Sequence, residues 1–222
     1  VTPLGGMQWK TSDPFLFCAH HLDDYPAGNE SFGPAASLEG RQLGRDFTGK
    51  DNWRMYHGRT VPGFPRHPHR GFETVTIVYQ GEVQHRDSTG AGGVIGPGDV
   101  QWMTAGGGLM HEEMPRRGES GNIYGFQLWI NLPSHLKWSK PQYRSITSAE
   151  IPTVERDGTT IRVIAGEVDG QRGPVGEVAA DPTYLDLELA PASEFSYSVP
   201  QGHTVIVYVF EGSGLFGADE TP

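Results

Sequence analysis

Short runs of β-branched and aromatic residues recur along the whole chain, and glycine or proline closes most of them. The clearest are 73–80, 100–104, 126–132, 159–164, 183–190 and 204–211. No long stretch carries helical periodicity; the best short candidate for a helix is 37–46. Many short strands, frequent turns and no alternating helices predict an all-β protein built as sandwiches or barrels. With 222 residues the chain is long enough for one large β domain or two of ordinary size. Its 31 glycines and 17 prolines supply the turns without any collagen-like or low-complexity bias. Around 137–152 the sequence turns polar and proline-spaced before strand patterning resumes, which predicts two domains, 1–140 and 141–222.

An internal echo supports two related halves. GFETVTIVYQG at 71–81 aligns without a gap on GHTVIVYVFEG at 202–212, each a glycine-led, β-branched strand that ends on a glycine turn.

Charge and cysteine usage narrow the function classes. Seventeen Lys and Arg against 27 Asp and Glu leave a formal charge of -10, which argues against direct nucleic-acid binding, since that needs a basic surface. No run approaches the ~18 apolar residues of a membrane span, and no secretory leader is visible, so no membrane association is expected. A single cysteine, Cys18, excludes an intrachain disulfide framework. A reducing, cytoplasmic setting is expected, or a nuclear one in a eukaryote. Gly212-Ser-Gly-Leu-Phe-Gly217 satisfies G-x-G-x-x-G, but no helix pattern follows it, so the dinucleotide reading fails its own context. No G-x-S-x-G or H-E-x-x-H motif occurs. A soluble enzyme and a protein-binding module both remain open.

Histidine placement carries the chemistry. His67 and His69 stand just before a strongly patterned strand. In extended chain they point the same way, about 6.6 Å apart along it. If the chain stays extended through Gly71, Glu73, Val75, Ile77 and Tyr79 share that inward face. Farther on, His111-Glu112-Glu113 puts His111 and Glu113 on one face and Glu112 on the other. H-x-H followed by H-x-E offers three imidazoles and one carboxylate, a set that suits Fe(II), Mn(II), Co(II), Ni(II), Cu(II) or Zn(II). Ordinary core or turn histidines fit the bare spacing equally well. Cys18-Ala-His20-His21 has one thiol and adjacent histidines that face opposite ways, and is assigned a structural role. His85 could reach the rim of the site, but a surface or hydrogen-bonded role is favoured.

PHPHRGFETV at 65–74, GPGDVQWMTAGGGLMHEEM at 96–114 and QLWINLP at 127–133 resemble the pirin family, two-domain members of the cupin superfamily. The resemblance runs from about Pro14 to the end and is densest over 53–145. It implies a bicupin of two jelly-roll β-barrels, with one mononuclear Fe(II) in the N-terminal barrel. Matched residue by residue, the ligands are His67, His69, His111 and Glu113. Many other cupins use a Glu four residues after the second His, where Glu73 stands; the resemblance favours Glu113 and leaves Glu73 a supporting role. In the second half, Ser198 and Pro200 fall where His67 and His69 stand in the first, so that barrel is expected to hold no metal. It also reads as incomplete, because only 10 residues follow Gly212. Some pirins, the resemblance implies, cleave the flavonol quercetin with O2 and release carbon monoxide. That makes a flat, flavonol-like aromatic and O2 the expected partners, and Glu113 the expected catalytic base. The alternative it implies is a redox-sensing regulator that binds a protein partner through its iron domain.

Overall fold

The β-branched runs form strands because their side chains can fill a pleated, half-buried surface. The computed structural model describes residues 8–116, 121–176, 178 and 180–217. Its strands, in chain order, are β1 (Gln8–Trp9), β2 (Phe15–Asp24), β3 (Phe64–His69), β4 (Phe72–Gln80), β5 (Glu82–Asp87), β6 (Gly92–Ile95), β7 (Val100–Thr104), β8 (Leu109–Arg116), β9 (Asn122–Asn131), β10 (Gln142–Ile146), β11 (Thr153–Arg156), β12 (Thr159–Ala165), β13 (Glu167–Val168), β14 (Gln171–Arg172) and β15 (Tyr184–Leu189). Among the described residues the helical elements are short 3-10 turns. Among the described residues no helix is long and apolar enough to cross a membrane.

Two antiparallel sheets face each other in the N-terminal part, one ordered β1-β2-β9-β4-β7-β10 and the other β3-β8-β5-β6. The architecture is all-β and of the jelly-roll type expected, with sheets that stay open at their edges rather than closing into barrels. The C-terminal part contributes a three-stranded sheet, β11-β12-β15, and the hairpin β13-β14. The larger sheet is apolar on its outer face. There Val75 and Ile77 of β4, Val100 and Trp102 of β7, and Phe126 and Ile130 of β9 pack on Ile164, Ala165 and Val175 from the C-terminal part. Fully buried side chains of this size contribute about 1.5–3 kcal/mol each, so this layer ties the two parts of the chain together. Strand β10 lies just beyond the expected division at 140/141, yet it hydrogen-bonds β7 of the first sheet.

Two sequence expectations are corrected. Residues 37–46 form successive turns, with Arg41 N–H donating to Leu38 O and Arg45 N–H to Gln42 O, instead of a helix. The cause is Arg41, whose buried guanidinium donates to Asp46 Oδ2 at 2.8 Å, Trp53 O at 2.9 Å and Lys50 O at 2.6 Å. It also lies 3.4 Å above the Trp53 ring. These bonds hold residues 25–63 in an irregular conformation that hydrophobic periodicity cannot encode. Residues 204–211, read as a strand, pair with no strand among the described residues. Tyr208 packs on Trp9 and Phe210 on Phe126, while Val205, Val207 and Val209 face outward. The echo with 71–81 is therefore one of pattern: its first copy is a central strand, and its second lies unpaired on the surface.

Candidate metal centre

Strands β3 and β8 are antiparallel neighbours, with His67 opposite His111, His69 opposite Leu109 and Phe64 opposite Glu113. In β8, Leu109, His111 and Glu113 are buried while Met110, Glu112 and Met114 are less so, the alternation a half-buried strand requires. All four expected ligand residues are thereby carried into the space between the sheets. His67 Nε2 lies 2.9 Å from His69 Nε2 and 3.0 Å from His111 Nε2. Glu113 Oε2 is 3.7 Å from His111 Nε2.

The protonation pattern suits a cation. His67 Nδ1 sits 2.9 Å from Pro65 O. A carbonyl can only accept, so Nδ1 carries the proton and Nε2 presents its lone pair to the cluster. Burial, then the charges of the neighbouring imidazoles, pushes His69 and His111 down to about 3. Both are neutral near pH 7. Neutral imidazoles whose ring nitrogens converge, with the Nδ1 atoms of His69 and His111 buried and unpartnered, bring acceptors together without enough donors. A divalent metal resolves that conflict, so the residues present fit one.

The same shifts set a pH dependence for metal-free protein. Unfolded imidazoles take up protons near pH 6.5, whereas the folded ones resist until about 3. Stability is therefore retained above about 6.5 and lost as pH falls, by up to about 1.4 kcal/mol per pH unit for each histidine. Chelator-treated protein is expected to show a urea midpoint that drops clearly between pH 7 and pH 5. A flat profile over that range would contradict neutral, buried imidazoles.

The larger sheet supplies the second wall, with one departure from expectation. Gly71 adopts φ +76, a left-handed conformation that breaks the extended run between β3 and β4 and reverses its facing. Glu73 consequently joins Val75 and Ile77 on the face away from the histidines, where its Oε1 accepts a bond from Thr104 Oγ1 at 2.6 Å. Thr74 and Thr76 face the site instead. Glu73 thus has no supporting contact with the imidazole cluster.

Gln127, which the sequence reading left without a role, holds Glu113. Its Nε2 donates to Glu113 Oε1 at 2.7 Å and to Thr76 Oγ1 at 3.2 Å, and its Oε1 accepts from Trp129 Nε1 at 2.8 Å. The Trp129 ring stands perpendicular to His69, 5.1 Å between centroids. A polar residue at the inward parity of an apolar strand was the available signal. His85 lies opposite Glu113 on β5. It is buried rather than at the rim, and its Nδ1 is hydrogen-bonded to the Tyr143 hydroxyl.

Beside Glu113 a slot runs between the sheets. Its empty space is about 490 Å³ with the mouth included. Gly125 lies on its wall, and a Cβ there would come within 2.4 Å of Ile77 O. Glu113 and Gln127 border one end; His21, Asp23 and Tyr56 also line it. His20 and His21 do face opposite ways, His20 stacking on Phe126 and His21 meeting Tyr56. The structural role expected for the pair therefore holds for His20, whereas His21 reaches the slot.

Facing antiparallel sheets that enclose inward imidazoles from an H-x-H strand and an H-x-E strand define a cupin. The pirin family model matches residues 4–130, more than half of the chain. The chain belongs to the pirin family. It is 47% identical over 152 residues to a pirin-like protein of Caulobacter vibrioides, covering 68% of this chain and 55% of that protein. It is 43% identical over 167 residues to the pirin of Homo sapiens, covering 74% and 56%. Among solved structures, quercetin 2,3-dioxygenase from Acinetobacter baumannii matches with a TM-score of 0.55 and 37% identity over 74% of this chain and 49% of that one. The chain spans about half the length of the curated relatives it matches.

Proposed function

We propose that this chain is a cytoplasmic, mononuclear metal-dependent dioxygenase that opens flavonols such as quercetin with O2 and releases carbon monoxide. In this reading His67, His69, His111 and Glu113 hold one Fe(II). The observation that carries it is the convergence of the His67, His69 and His111 ring nitrogens, with Glu113 3.7 Å from His111, beside an apolar slot. The name of the matching Acinetobacter protein supports the substrate class. Fe(II) supplies a Lewis acid and a one-electron partner for O2.

The chain's own residues bind the flavonol and move its proton. Apolar side chains of Phe64, Val78, Val83 and Ile123 line the slot and exclude water from it. Glu113 borders both the imidazoles and the slot, so its carboxylate reaches a hydroxyl presented there. Gln127 holds Glu113 Oε1 by hydrogen bonding, so the oxygen nearer His111 is the one that would bind the metal and, on loosening from it, take the flavonol 3-hydroxyl proton.

The test is carbon monoxide release from anaerobically Fe(II)-loaded protein given quercetin and then O2. Steady release supports the reading. No release from folded, iron-loaded protein overturns it and brings forward the redox-responsive regulator with a protein partner. Glu113→Gln is expected to keep some of its metal while carbon monoxide release per metal falls by about 10²–10⁴, the usual worth of a positioned base. Full turnover in that variant would remove Glu113 from the base role.

A further inference from the structure

The far wall of the slot holds a polar relay that the metal chemistry does not use. Asp23, buried in β2, accepts hydrogen bonds from Tyr56 Oη at 2.5 Å and from Arg54 Nη1 at 3.0 Å. His21 Nδ1 lies 2.9 Å from the same Tyr56 oxygen. Tyr56 has one proton, and it is directed to Asp23. His21 Nδ1 must therefore be the donor to Tyr56, and the ring's other nitrogen, Nε2, carries the lone pair. Burial, with the charges of His20 and Arg54, pushes His21 down to about 4, so the ring stays neutral and that lone pair persists. Nε2 has no hydrogen-bond partner among the described residues, and it is not among the sealed polar atoms.

The slot thus ends in a fixed, neutral acceptor. Arg54 offsets the charge of Asp23, so nothing at this end calls for a cation, and the Glu113 carboxylate at the other disfavours an anion. An apolar lining and a neutral acceptor together suit an aromatic ring bearing a hydroxyl donor. We propose that His21, oriented by Tyr56 and Asp23, accepts the hydrogen bond of a phenolic hydroxyl and makes the slot prefer hydroxylated over methylated aromatic rings. The inference rests on the proposed function for its view of the slot as the substrate site.

The test is binding of 2-naphthol and 2-methoxynaphthalene to the metal-free full chain by titration calorimetry. Neither metal nor O2 is present, so loss of the hydroxyl preference is distinguishable from failure to release carbon monoxide. The unmodified protein is expected to bind 2-naphthol about tenfold more tightly, the worth of one well-placed hydrogen bond. His21→Phe keeps the aromatic bulk and is expected to bring the two affinities within about twofold, leaving 2-methoxynaphthalene unchanged. Tyr56→Phe keeps the ring but frees His21 to change tautomer, and is expected to reduce the preference too. Equal affinities in the unmodified protein, binding of neither probe, or a preference that survives in both folded variants would each overturn the assignment.

Discussion

His111→Ala is expected to lose the metal. Its Nε2 lies within 3.0 Å of the His67 Nε2 and 3.7 Å from the Glu113 carboxylate, so it connects the β3 ligands to the carboxylate. Changes to groups that merely orient a metal ligand cost about 10–100-fold in affinity; removing a ligand itself is expected to cost at least about 100-fold. After anaerobic Fe(II) loading and desalting, metal analysis should fall from near one per chain to background, and carbon monoxide release should vanish with it. The informative control is the next residue. Glu112 points to the opposite face of the same strand, so Glu112→Ala should keep its metal. Equal metal content in the two variants would dissolve the proposed ligand set.

Arg41→Ala is expected to give the largest loss of stability. The Arg41 side chain is fully buried, and its Asp46 partner nearly so. Asp46 Oδ2 also accepts the backbone N–H of Met55. Removing the guanidinium strands that carboxylate and frees the carbonyls of Lys50 and Trp53. Breaking one side of such a buried pair costs about 3–5 kcal/mol, read as a lower urea midpoint at unchanged slope. Arg41→Met with Asp46→Leu should recover part of the loss, because the pair then leaves together. The effect reaches the slot, since the backbones of Asp46 and Tyr56 bond each other in both directions. A loss below about 1 kcal/mol would mean that residues 25–63 are held by their apolar contacts instead.

These two sites mark what the sequence made legible. His111 and Glu113 could be read because strand alternation is local: two residues of equal parity share a face whatever the rest of the chain does. The placement of Glu73 could not, because one left-handed residue at Gly71 reverses the parity of all that follows. The order of residues 25–63 was hidden for another reason. It comes from hydrogen bonds between Arg41 and carbonyls up to 12 positions away, and such bonds leave no period in the sequence. Gln127 lay in plain view within QLWINLP, but its role needs a partner on another sheet. The run 204–211 has a strand's alternation but joins no sheet among the described residues, and alternation alone does not say which strand would lie beside it.

Strand β3 has a further consequence. Among the described residues it sits at the border of its sheet, paired on one side, with β8, and its sequence is Phe-Pro-Arg-His-Pro-His. Pro65 and Pro68 have no N–H to offer a visiting strand. The border that supplies two of the three clustered imidazoles is thus guarded against edge-to-edge aggregation by the segment that builds the pocket. Copies of this chain that associate by strand addition must do so elsewhere, which leaves the approach to His67 clear.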